Sequence, residues 1–155
     1  MKKLILLFAF FLGSMTAANS ETQNFPLFNM EIPQDWTHSI ADSTSTSGKQ
    51  DGQITIYSPD GVSEVNMLTI AAPVEVDNTI LRTLTNIDSS IQLDWQNWKN
   101  FSGYQYSYTE RDVFYKQWWI ANMQTILFVT YASNREMDAS ENRKMDELIN
   151  SINFF

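Results

Sequence analysis

Tyr104, Tyr106 and Tyr108 alternate with Gln105, Ser107 and Thr109. Two more β-prone runs, Val113 to Ala121 and Thr125 to Ala132, follow after very short interruptions. A period of two puts successive side chains on opposite faces of a strand. Connections as short as Arg111-Asp112 and Asn122-Met123-Gln124 join antiparallel neighbours, because a parallel crossover needs about a dozen residues or more. The stretch from Tyr104 to Ala132 therefore reads as an antiparallel meander. Trp118 and Trp119 are consecutive and must point to opposite faces, so a sheet packed on one side alone would bury only one of them.

The rest of the chain supplies further strands and two helices. Leu27 to Ile32 alternates apolar and polar residues as a half-buried strand, and Pro33 ends it for want of an N–H. Trp36 follows within a turn and is expected to plug the edge of the core. Gln53 to Tyr57 and Glu64 to Ala71 are strands joined by Ser58-Pro59-Asp60-Gly61, where Pro59 presets φ and Gly61 accepts a positive φ. Between the first strand and this hairpin, the Ser/Thr-rich stretch from Asp42 to Lys49 has nothing to bury and reads as a surface loop.

Asp77 or Asn78 can cap a helix starting at Thr79, with Ile80, Leu84, Ile87 and Ile91 as one apolar stripe and Leu81 beside it. Ser140 is the expected cap of a second helix bearing Met145, Leu148, Ile149 and Ile152, and Phe154 and Phe155 are expected to tuck against the core. The sum is an α+β domain, an antiparallel sheet of about six strands with two helices packed on it.

Ahead of this domain, Lys2 and Lys3, the apolar run Leu4 to Leu12 and the small-residue site Ala18-Asn19-Ser20 have the order of an export leader. Cleavage is expected after Ser20, with Ala17 and Ala18 as close alternatives, which leaves residues 21–155 as a single domain. Nine apolar residues are too few to span a bilayer, which takes roughly 20, so no stable membrane insertion is expected once the leader is gone. The expected location is periplasmic or secreted. With no cysteine in 155 residues, a lipoprotein anchor, a disulfide framework and thiol chemistry are excluded.

The whole chain carries 10 basic and 18 acidic residues. Loss of Lys2 and Lys3 with the leader takes the net charge from −8 to −10. Such a surface repels phosphate backbones, so nucleic acid is not an expected partner, whereas a basic protein would be steered towards it.

The opening Phe28-x-Met30-x-Ile32-Pro33-x-x-Trp36, the Ser58-Pro59-Asp60-Gly61 hairpin, the mid-chain helix, the aromatic meander and the closing Leu148-Ile149-x-Ser151-Ile152-x-Phe154 occur in an order that resembles the PsbP-like fold. That fold includes small exported bacterial proteins of the DcrB type. The resemblance implies a protein that binds other proteins or serves as an accessory subunit rather than an enzyme. The matching positions are structural, so no functional residue is carried over.

The chemistry of the chain agrees with a binding role. His38 is the only histidine, and there is no nucleophile elbow, phosphate loop or calcium loop; no catalytic residue, cofactor or metal is expected. Asp94, Glu110 and Asp112 are the acids worth weighing for hydrolysis, since they lie near the aromatic region. The candidate binding surface is Trp95, Trp98, Tyr104, Tyr106 and Tyr108. The competing reading, which is favoured, buries these rings in a sheet covered on both faces. The function expected is an exported, non-enzymatic binding protein of the bacterial cell envelope that engages another protein, as an immunity, inhibitor or accessory protein. The alternative is a small hydrolase, or a glycan or small-ligand binder, using residues 94–119.

Overall fold

The aromatic meander forms one flank of a seven-stranded antiparallel sheet. A computed structural model describes residues 20–43 and 51–155; the leader expected over residues 1–20 therefore lies outside the described residues but for Ser20, as does most of the Ser/Thr-rich stretch. The strands are β1 (Ser20–Asn24), β2 (Phe28–Pro33), β3 (Thr37–Ser43), β4 (Asp51–Tyr57), β5 (Ser63–Ala71), β6 (Gln96–Asn97), β7 (Ser102–Glu110), β8 (Val113–Asn122), β9 (Thr125–Ser133) and β10 (Asn153–Phe154), and the helices are α1 (Asn78–Leu84) and α2 (Ala139–Ser151). The large sheet runs β3-β4-β5-β9-β8-β7-β6, and β1-β2-β10 form a smaller one. The architecture is α+β, with antiparallel pairing in both sheets.

Turn chemistry sets the register. Arg111 and Asp112 both adopt positive φ, 49° and 64°, the condition for a two-residue hairpin turn whose twist matches its strands. Glu110 thus pairs with Val113, and Tyr108 with Tyr115. Gly61 takes φ 67° at the β4–β5 turn, as its position after Pro59-Asp60 leads one to expect.

The large sheet is covered on both faces, but unevenly. On the first face, the small sheet and α2 enclose Ile54, Ile56, Val65, Met67, Trp118, Ile120, Leu127 and Val129, with Met145, Leu148 and Ile149 pressed in from α2. On the second face, residues 72–98 cross one end of the sheet and cover Tyr104, Trp119, Ala121 and Ile126 with Val76 and Leu81. Both consecutive tryptophans are therefore buried, Trp118 at 1% and Trp119 at 5% exposure, in two different cores. Trp36 is buried on the first, as expected.

Four local expectations are corrected. The first concerns β3, which runs to Ser43, into the stretch expected as a loop from Asp42: Thr37–Ser43 holds little apolar pattern, and its strand state comes from pairing with β4. The second is that α1 is only seven residues long. Asp77 caps it as expected, but Leu81 is its buried residue and Leu84 is 54% exposed. Its end is enforced by Arg82, whose guanidinium donates to the carbonyls of Ile87, Asp88 and Ile91 at 2.9, 2.9 and 3.0 Å, and by Asn86 in the left-handed region. Ile87 and Ile91 lie in the loop that follows.

The third is the cap of α2, which is Asp138 rather than Ser140: its carboxylate accepts from the Ser140 and Glu141 amides while Glu141 reaches back to the Asp138 amide. Finally, Phe154 packs against Phe28 and Phe101, whereas Phe155 is 75% exposed.

Candidate functional site

The end of the second face beyond residues 72–98 carries a row of half-exposed aromatic side chains. Register and alternation place Tyr106 and Tyr108 of β7, Tyr115 and Gln117 of β8, Phe128 and Thr130 of β9, Glu64, Asn66, Leu68 and Ile70 of β5, and Thr55 and Tyr57 of β4 on it. Tyr106, Tyr108 and Tyr115 stack in a row, with ring centroids 5.8 and 5.1 Å apart. Tyr57, Leu68 and Ile70 are each about 40% exposed on the other side of this face. Burial beside Tyr115, Glu110 and Tyr106 raises the Tyr108 phenol above its ordinary value, which keeps it a neutral hydroxyl. Thr55 donates to Asn66, which in turn donates to Glu64, so part of the polar rim is already ordered.

The five residues singled out from the sequence do not form one surface. Trp95 meets Tyr104 edge-on at 5.1 Å, and Tyr104 is buried, its hydroxyl donating to the Asn78 carbonyl. Trp98 stacks on Phe101 and packs against the first core instead. Tyr106 and Tyr108 alone of the five border the open face. Trp95, Trp98 and Tyr104 are removed from it because residues 86–101 fold back over the sheet and bring their own rings into the cores. Tyr115, Leu68 and Tyr57 were passed over. The β7–β8 turn makes Tyr115 the partner of Tyr108, which an exact two-residue connection would have signalled.

The candidate acids are also dispersed. Glu110 and Asp112 are exposed at the β7–β8 turn, whereas Asp94 lies on the loop before β6. His38 is exposed on β3, paired in register with Ile56. Among the described residues no group of three His, Cys, Asp or Glu side chains is placed to hold a metal, and no helix is long and apolar enough to cross a membrane.

Two clefts of the described residues are lined mainly by polar side chains, and the second borders the aromatic face at Tyr106. One, of about 510 Å³, runs between β2 and α2 past Glu31, Asp35 and Lys144, and its lysine is already paired with Asp35 at 2.8 Å. The other, of about 450 Å³, lies at the outer edge of β7. Asp94 lines it from the loop, Gln96 from the short strand β6, and Gln105, Tyr106, Ser107 and Lys116 from β7 and β8. Lys116 shares its face of β8 with Phe114, Trp118 and Ile120, so a cation stands in an otherwise apolar inward row. That break in the alternation was the sequence signal for it.

A third polar cluster is structural. Glu141, 13% exposed, receives both Arg135 terminal nitrogens, at 2.5 and 3.1 Å. It also accepts from the Ser63 hydroxyl at 3.1 Å and the Tyr131 hydroxyl at 3.3 Å. It ties the start of α2 to β5 and β9. Ser63 is buried, and His38, the chain's one histidine, lies on β3.

Comparison with solved structures defines the class. The cyanobacterial PsbP protein CyanoP from Synechocystis sp. PCC 6803 superposes with a TM-score of 0.60 at 9% identity, covering 92% of this chain and 96% of its own. A protein from Bacteroides thetaiotaomicron VPI-5482 superposes with a TM-score of 0.57 at 16% identity over 83% of this chain; the match spans 45% of that protein, less than half its length. No family model and no curated relative matches the chain. At such identities the likeness is one of fold, and the fold is PsbP-like.

Proposed function

We propose that this chain is an exported, non-enzymatic binding protein of the bacterial cell envelope, close in kind to the small DcrB-type PsbP-like proteins, and that it engages a basic protein through the open face of its large sheet. The observation that carries this reading is the stacked row Tyr106, Tyr108 and Tyr115, half-exposed and continuous in register with Phe128 and Leu68, with Tyr106 and Phe128 leaning on the second core at one end of the row. Tyrosines give large contact area at low entropic cost, and buried at an interface they are typical anchors. The partner's charge follows from the overall net charge of −8, from Glu64 on the face, and from Glu110 and Asp112 at its rim, where Arg111 is the opposing cation. Tyrosine faces also accept lysine or arginine by cation–π contact. An immunity, inhibitor or accessory role suits such a surface.

The test is capture from envelope extract with the chain lacking residues 1–20, at low and at high salt, against the double variant Tyr108→Ala/Tyr115→Ala. The reading expects a basic protein held by the parent at low salt, weakened by salt and lost by the variant, whose circular dichroism stays that of the parent although the lost cross-strand pair lowers its melting temperature by a few degrees. A partner retained equally by the variant would refute the assignment of this face.

A further inference from the structure

We propose that the cleft at the outer edge of β7 binds a small zwitterion of the amino-acid class, its carboxylate held by Lys116 and its ammonium by Asp94. Lys116 is half-buried on the inward side of β8, yet makes no ion pair among the described residues. Its ammonium has the Asn142 side-chain oxygen at 3.4 Å and the Trp118 ring at 5.0 Å, which leaves donors of a three-donor group unspent.

Removing a lysine from water is costly unless a partner compensates it, and such a cation beside a cleft is a common mark of a ligand site. Burial lowers its pKa against the ordinary ammonium value, and Asp146 on α2 opposes that shift without pairing.

Asp94 lines the same cleft from the loop and makes no ion pair with Lys116, so opposite charges face one space of about 450 Å³ with neither satisfying the other. Gln96, Gln105 and Ser107 supply amide and hydroxyl groups between them, and the Gln92 amide sits 3.4 Å from the Asp94 carboxylate. A ligand with a carboxylate at one end and an ammonium at the other matches this order of charges. Being neutral overall, it is also not repelled by an acidic protein, as a plain anion would be. The volume lies within the usual range of small-molecule sites, roughly 300–1,000 Å³, and admits an amino acid or a dipeptide.

The experiment is titration of the parent chain with L-glutamine and with glycylglycine, read by amide chemical-shift mapping and calorimetry. N-acetylglutamine, glutamine amide and galacturonate serve as comparison ligands. The expected result is saturable shifts at Gln96, Gln105 and Ser107 with the two zwitterions, the tighter of them giving the ligand's size. Loss of either charge, from the ligand or through Lys116→Met or Asp94→Asn, should weaken binding by about tenfold or more, as charged hydrogen bonds do.

Methionine is close in shape to the lysine stem and sits well on Trp118, and its melting curve shows whether the fold is kept. Should that variant not fold, the exposed Asp94→Asn carries the comparison alone. Absence of saturable shifts, equal binding of N-acetylglutamine, or selective binding of galacturonate would each overturn the proposal.

Discussion

Replacing Glu141 with alanine removes the reciprocal half of the α2 cap, two bonds from Arg135 and an acceptor shared by Ser63 and Tyr131. The capping contribution is worth about 1 kcal/mol. Ser63 and Tyr131 keep each other at 2.8 Å, so neither hydroxyl is orphaned, and losing a charged acceptor from the pair costs about 1 to 2 kcal/mol. Arg135 is 43% exposed and returns to water, so its ion pair adds only about 0.5 kcal/mol. The sum is about 3 kcal/mol, or a fall in melting temperature of about 10 °C for a domain of this length.

Glu141→Gln keeps an acceptor oxygen for the hydroxyls and for the Asp138 amide, and should cost about half as much. Urea unfolding followed by tryptophan fluorescence measures both. A Glu141→Ala loss below about 0.5 kcal/mol, within the range of an ordinary surface substitution, would refute the reasoning that this carboxylate fastens α2 to β5 and β9.

Arg82→Lys should loosen the loop after α1, because an ammonium cannot reach three divergent carbonyls as a guanidinium does; amide exchange over residues 85–98 should rise while α2 is unaffected. Gly103→Ala should prevent native pairing of β7, because a Cβ there would overlap the Trp119 carbonyl oxygen on β8, which is backbone and cannot swing aside; circular dichroism and yield of folded protein report it.

Stability should also fall on acidification through the carboxylate range. Asp60 is held below the ordinary aspartate range by the Ser58 hydroxyl and the Val62 amide, and Asp138 by the Glu141 and Ser140 amides. A depressed folded-state pKa means that the unfolded chain takes up the proton first, so this stability is complete above the unfolded value and is lost as pH drops through the folded one. Urea midpoints from pH 7 down to pH 2.5 should be flat at first and then decline below about pH 4, the ordinary aspartate range; Asp138→Asn should flatten that decline.

Much of the fold was legible because its signals are local. The two-residue spacing of Tyr104 to Thr109, Pro59 and Gly61 in one turn, and Met145, Leu148 and Ile149 on one face of α2 each follow from contacts within a few residues. The misreadings share the opposite cause. β3 is a strand by virtue of pairing with β4, and α1 stops short because Arg82 collects carbonyls as far on as Ile91. The cap of α2 shifted from Ser140 to Asp138 because Glu141, three residues on, completes a box with Asp138.

The candidate surface was less legible than the fold. Alternation can place Tyr104, Tyr106 and Tyr108 together on a strand, yet only the path of residues 72–98 separates a buried Tyr104 from the Tyr106, Tyr108 and Tyr115 row. Sequence alone therefore determined the antiparallel pairing, the turns and which side chains lie on opposite faces, since these depend on strand period and on the dihedral preferences of Pro, Gly and Asp. Which face is covered, and which rings remain half-exposed, was decided by tertiary structure: burial depends on segments distant in the chain coming to rest on the sheet.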